Sequence, residues 1–225
     1  MLMQAQYFFM TSLPGLPALG EAPPVSLREL MERSRDLSEV RRVVGTVLLE
    51  HDLMLRQAVL SGERKDVEPV VLTVAQARGE EPLPDFLAGE ATRPRPIGED
   101  ATWEAYFRHA AQQADGQGCP FLRQWASFEV TLRNALVEAR AKTLELVSDE
   151  YLVAPELSGD EADVAAIVSR WSTAANPLDG QRVLDQGRWD WLARQGGWFT
   201  FRVDETAAYA RGLVLLHRWR EAKNG

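Results

Sequence analysis

The chain of 225 residues contains one cysteine, Cys119, so it forms no internal disulfide. It contains three histidines, His51, His109 and His217. None stands three to five residues from another, and Cys119 has no Cys or His close by, so no zinc-type spacing occurs. Phosphate-cradling glycine loops are missing. There is no G-x-x-x-x-G-K followed by Ser or Thr, and no G-x-G-x-x-G. The nucleophile elbow G-x-S-x-G is missing too. No apolar run approaches the roughly 18 residues that span a bilayer. No basic surplus exists. The net charge is −8, with 33 acids against 25 Lys and Arg spread along the chain, which argues against nucleic acid as the main partner. Before Arg28 there is no Lys or Arg, so MLMQAQYFFMTSLPGLP does not read as a secretory signal. These absences leave no catalytic residue, no cofactor site and no metal site to name. They lead us to expect a cytoplasmic protein without a membrane span, with a peripheral place beside a membrane open to it.

What is present is helical patterning. Hydrophobic residues make up 45% and seven are Trp, ample for a large core. Ser26 with Glu29 three residues on is a capping-box pattern for a helix over 27–36. Ser38 reads as the cap of a helix over 39–60, stopped by Gly62. Its apolar stripe runs through Val40, Val43, Val44, Val47, Met54, Leu55 and Ala58, with His51 at the centre. Residues 62–100 hold five prolines. Val70–Val74 fits either a short strand or the start of a short helix, and 90–100 reads as an exposed linker. Thr102 reads as the cap of a helix over 103–114. The longest helix is expected over 121–147. It carries one stripe through Phe121, Trp125, Phe128, Leu132, Ala135 and Ala139, and a second, nearly opposite, through Val130, Val137, Ala141 and Leu144. A helix apolar on two faces should be sandwiched, which makes it the expected spine. Further helices are expected over 161–175, over 178–195 with Gly196-Gly197 as its stop, and over 205–222 with Asp204 as its cap. The fold class is therefore all-α, a multi-helix bundle with a long central helix. Residues 1–100 form an N-terminal helical region with a Pro-rich loop, and 101–225 form a C-terminal bundle sharing its core.

Few residues suggest chemistry. Cys119 precedes Pro120 at a helix start, where the dipole lowers a thiol pKa; an incidental turn residue is the plainer reading. His51 reads as a core histidine held by a carbonyl or carboxylate, or else as a titrating group. Glu129 and Arg133 read as an i,i+4 pair on a solvated flank. Asn134 lies mid-helix, where Asn is a poor former, and projects between apolar positions. It either fixes the register of a neighbour or touches a partner. The Pro-rich stretch 82–98 is either a contact loop or a solvated linker.

The opening Gln6-Tyr7-Phe8-Phe9-Met10-Thr11-Ser12-Leu13-Pro14, followed by Pro23-Pro24-Val25-Ser26, resembles the start of a small bacterial family encoded among V/A-type ATPase genes. The stretches 120–141, 187–192 and 205–219 extend the resemblance over nearly the whole chain. Residues 128–142 are also similar to a helix of the C-type socket subunit of V/A-type ATPases, termed d in eukaryotes, where an Asn precedes a basic end. Asn134 and Arg140-Ala141-Lys142 match it, and 151–155 match the connection that follows. The resemblance implies a non-catalytic, all-helical socket, joining the rotating central stalk to the membrane ring, or an accessory factor of that ATPase. It implies other ATPase subunits as partners. Arg133, Asn134, Arg140 and Lys142 are then the expected partner-contact residues. The socket of that family has three similar helical domains, and this chain is shorter. A transient assembly or regulatory factor, and a small enzyme with a site near His51, are the alternative readings.

Overall fold

A computed structural model describes residues 2–88, 95–195 and 202–224. Among them are nine α-helices and no strand. The helices are α1 (Leu2–Ser12), α2 (Leu27–Arg33), α3 (Ser38–Leu60), α4 (Val74–Arg78), α5 (Glu99–Gly116), α6 (Pro120–Leu144), α7 (Ala162–Ser172), α8 (Pro177–Arg194) and α9 (Val203–Asn224). Single 3-10 turns stand at Asp85–Leu87, Ser148–Glu150 and Pro155–Leu157. The main apolar cluster runs from Phe9 to Leu215 and takes side chains from both sides of residue 100. A second cluster gathers Leu49, Leu53, Trp103, Tyr106, Phe107 and Val130 between α3, α5 and α6.

At 25 residues, α6 is about 38 Å long. Its Phe121, Trp125, Phe128 and Leu132 face the main cluster, and Ala126 and Val130 face the second. The sandwich does not reach its C-terminal end, where Leu144 is 65% exposed. Helix α9 is the more enclosed element. From Val203 to Leu216 every residue but Asp204 is buried. Glu205 and Arg211 are buried along it, and charges enter a core only with partners.

Several boundaries move for physical reasons. The Ser26 hydroxyl accepts from the Glu29 amide at 3.0 Å, but the Glu29 carboxylate turns to Arg33 at 2.6 Å, so only half of the box forms; at the other end α2 stops at Arg33, with Ser34 as its C-cap. Ser38 is the first residue of α3, not its cap; Leu37 takes that place. Thr102 lies inside α5, which begins at Glu99, where Glu99 and Asp100 meet the positive helix end. Helix α6 ends three residues early on Glu145, which adopts φ +56°. Asp204 does not cap α9. Its carboxylate accepts the Phe121 amide at 2.9 Å and so caps α6 from another element.

The middle of the chain is better ordered than its composition implied. Val70–Val74 form no strand; the short helix starts at Val74, and Val70–Leu72 precede it outside any element. Their three amides converge on the buried Asp52 carboxylate at 2.6–3.0 Å. Burial raises the Asp52 pKa, and these three amides work against that rise. Thr73 then opens α4 with a complete capping box to Gln76. Residues 95–100 are not a free linker either. Arg95 pairs with Glu104 and reaches the Leu152 carbonyl, and Asp100 is buried. The rest of that linker (90–94) and the Gly196-Gly197 stop lie outside the described residues. Helix α8 lies close to α7 because Gly180 and Gly187 leave room for Trp171 and Ile167; a Cβ at Gly187 would fall 2.7 Å from Ile167 Cδ1.

Candidate functional site

The largest concentration of buried charge lies where α3, α6, α8 and α9 meet. Glu129 of α6 accepts two hydrogen bonds from Arg188 of α8, at 2.7 and 3.0 Å. Arg188 also approaches Asp185, one turn back, at 3.4 Å, and Arg218 of α9 approaches Asp185 at 3.1 Å. Arg211 of α9 is fully buried. It lies 2.7 Å from Glu50 and 3.6 Å from Glu129, with its guanidinium 4.0 Å from the centre of the Trp125 ring. None of the Arg211 nitrogens has hydrogen-bond geometry despite the short Glu50 distance, so charge and stacking hold it rather than directed bonds. Three acids and three arginines balance. Burial works to raise the Glu129 pKa, but Arg188 and Arg211 outweigh it and hold the carboxyl below its ordinary range. Burial works to lower Arg188, and Glu129 and Asp185 keep it above its ordinary value. Both groups therefore stay charged at neutral pH.

Beside this cluster opens a cavity of about 560 Å³ between α3, α5, α6, α8 and α9. Glu50, Glu129, Arg188 and Arg218 supply part of its lining. Arg133 lies one helical turn along α6 from Glu129. It donates to the buried Asp100 at 2.8 Å and rests 5.2 Å from the Trp103 ring centre. Its Nε is buried and has no acceptor among the described residues. The remaining wall is mostly apolar, with Met54, Phe107, Leu136, Val137 and Leu184; Gln57, Gln181 and Tyr151 add polar groups, and Leu144 at the end of α6 and Leu146 just beyond it stand at the rim. A larger groove of about 910 Å³ lies near Tyr7, Met10, Leu16, Trp189 and Leu192, but among the described residues Glu205 is its only charged lining residue. It offers volume with few groups to orient a ligand.

The four expected partner-contact residues separate. Arg133 and Arg140 both line the charged cavity. Arg140 is exposed and stacks 5.0 Å from the Trp171 ring centre. Lys142 is exposed on the last turn of α6. Asn134 is buried, and both ends of its amide are bonded. Nδ2 donates to the Val153 carbonyl at 3.0 Å, and Oδ1 accepts the Val153 amide at 2.9 Å. It pins the connection after α6 to the helix. Replacing Asn134 with Ala strands both Val153 groups and is expected to lower stability by about 2 kcal/mol in urea titration. A change under about 0.5 kcal/mol would show that the bonds add nothing net.

Other sequence expectations are corrected here. Glu129 and Arg133 do not pair; each finds a longer-range partner, Arg188 and Asp100. Cys119 is buried, and burial pushes its thiol up to about 12, so the helix dipole does not activate it. His51 is buried in the core but is not one of the residues lining the charged cavity. Burial, with Arg218 and His217 next in effect, pulls its pKa down to about 4. Among the described residues no group of three His, Cys, Asp or Glu side chains is arranged for a metal, and no helix is long and apolar enough to cross a membrane. Sequence reasoning missed Glu50, Asp185, Arg188, Arg211 and Arg218. The available signal was charge on helices whose neighbouring positions are apolar. Comparison of the chain with protein-family models, with curated proteins and with solved structures gives no match.

Proposed function

We propose that this chain is a non-catalytic subunit or accessory factor of a V/A-type ion-translocating ATPase, similar to the C-type socket between the central stalk and the membrane ring. The observation that carries the reading joins two stretches that resemble that socket. The helix 128–142 and the connection 151–155 are tied by the paired hydrogen bonds of Asn134 to Val153. In this reading Asn134 positions the connection, while the exposed Arg140 and Lys142, with Arg133 behind them, face another component of the ATPase. The interlocked helices and the balanced buried charges suit a body that transmits force and performs no reaction. The partners are then the stalk and ring subunits, with the chain cytoplasmic and held at the inner membrane through the complex.

The test is affinity purification of the tagged chain from membranes of its own host. Stoichiometric retention with the intact ATPase supports a permanent component. Association only with incomplete complexes favours the alternative, a transient assembly factor. Recovery of the chain free of every ATPase component, with the ATPase assembled normally in its absence, would overturn both.

A further inference from the structure

Three features of the charged cavity remain unexplained by internal packing. The first is a charge imbalance. Four lining arginines, Arg133, Arg140, Arg188 and Arg218, face three lining carboxylates, Glu50, Asp100 and Glu129. Asp185 and Arg211 behind them cancel, which leaves one positive charge in a chain whose net charge is −8. Among the described residues, Arg140 has no carboxylate within pairing distance; the structure gives it the face of Trp171 instead. The second is an unused donor. Arg133 spends one nitrogen on Asp100, and its buried Nε finds no acceptor among the described residues, a costly arrangement for a buried polar group. The third is an apolar track leading outward. Along α6 from Arg133 the wall continues through Leu136, Val137 and Ala141 to Leu144, with Ile97 and Leu146 beside it. Leu144, Ile97 and Leu146 are among the most exposed large apolar side chains of the described residues, at 65, 47 and 46%. Apolar exposure gathered at a cavity mouth marks a binding site rather than random surface.

We infer that this cavity binds a single-chain amphiphilic carboxylate, with its head group on Arg133 and its hydrocarbon along the α6 track to Leu144. The head group supplies the acceptor that the Arg133 Nε lacks and neutralises the surplus charge. Arg140, which lines the same cavity from its place on Trp171, adds longer-range attraction. The hydrocarbon covers Leu136, Val137 and Leu144. The helix rises about 16 Å between Arg133 and Leu144, close to the length of an extended twelve-carbon chain. The volume of about 560 Å³ lies within the range of small-ligand cavities. This inference stands apart from the ATPase reading, since neither requires the other.

The probe is dodecanoate, titrated into the full chain below its micelle concentration. Calorimetry and tryptophan fluorescence serve as readouts, since Trp103 lines the cavity. Saturable one-to-one binding is expected, at least about ten-fold tighter than dodecylamine of the same length, with acetate giving no heat. Arg133→Gln should weaken dodecanoate binding about ten-fold or more without weakening dodecylamine. Val137→Glu, which places a like charge on the track, should abolish dodecanoate binding while the far-ultraviolet spectrum stays native. Equal binding of dodecanoate and dodecylamine would overturn the inference. So would the absence of any saturable binding to the folded wild-type chain, or binding seen only as co-sedimentation with anionic phospholipid vesicles.

Discussion

Replacing Arg211 with methionine is expected to lower the unfolding free energy by about 3–5 kcal/mol, read from urea or guanidinium titration at neutral pH. Arg211 is wholly buried, and Glu50 and Glu129 beside it are nearly so. Taking charges out of water costs several kcal/mol each, so the intact cluster adds little net stability. Removing one member is different, because its partners stay buried. Glu129 keeps Arg188, with two hydrogen bonds. Glu50 loses its arginine and keeps a long hydrogen bond from Trp125 Nε1, at 3.4 Å, with the Tyr106 hydroxyl as a neutral neighbour. The stranded Glu50 carboxylate is therefore the main source of the loss. Adding Glu50→Gln to Arg211→Met should then recover about 1–3 kcal/mol, a coupling that a cavity left by lost packing would not produce. A loss below about 1 kcal/mol in the single variant, or no recovery in the double, would show that the cluster is wet and screened.

The second large effect concerns acid. His51 has its pKa lowered from 6.5 to about 4 by burial first, then by Arg218, His217, Arg64 and Arg211. Between about pH 6.5 and 4 the unfolded chain protonates this ring while the folded chain does not. The unfolded state then binds more protons, so stability rises with pH across this window and falls as pH drops from about 6.5 toward 4. The loss from this one group reaches about 3 kcal/mol near pH 4. In His51→Gln the unfolded state gains no proton at this position. Altered packing sets the variant's stability at neutral pH, but its stability relative to the wild type should improve by about 3 kcal/mol between pH 7 and pH 4. Urea midpoints of both proteins across that range check it. Parallel pH profiles would mean that the ring is hydrated or paired with a carboxylate.

The expected elements and their faces were legible where periodicity was strong. Val40, Val43, Val44 and Val47 are buried as their spacing requires, and so are Trp103, Phe107 and Ala110. Helix ends were less legible, because an end depends on what satisfies its free amides. Asp204 looked like a local cap and serves α6 instead. Asp52 carried no sign that it would gather the amides of Val70, Val71 and Leu72 from eighteen or more residues away. Asn134 was singled out correctly as an amide needing partners, but only the folded chain supplies Val153. The charged cluster was the least visible feature. A local reading gives Glu129 to Arg133, since they stand one turn apart, whereas the fold gives Glu129 to Arg188, 59 residues on.

By itself, the order of apolar and polar residues settled that this chain is helical, and which face of most helices turns inward. That follows because a helix repeats every 3.6 residues and its apolar stripe must leave water. Tertiary structure alone decided which charges are buried together, which amide each carboxylate serves, and that a cavity with one unmatched positive charge opens beside them. Those outcomes depend on distances between segments far apart in sequence, and a local pattern holds no record of such distances.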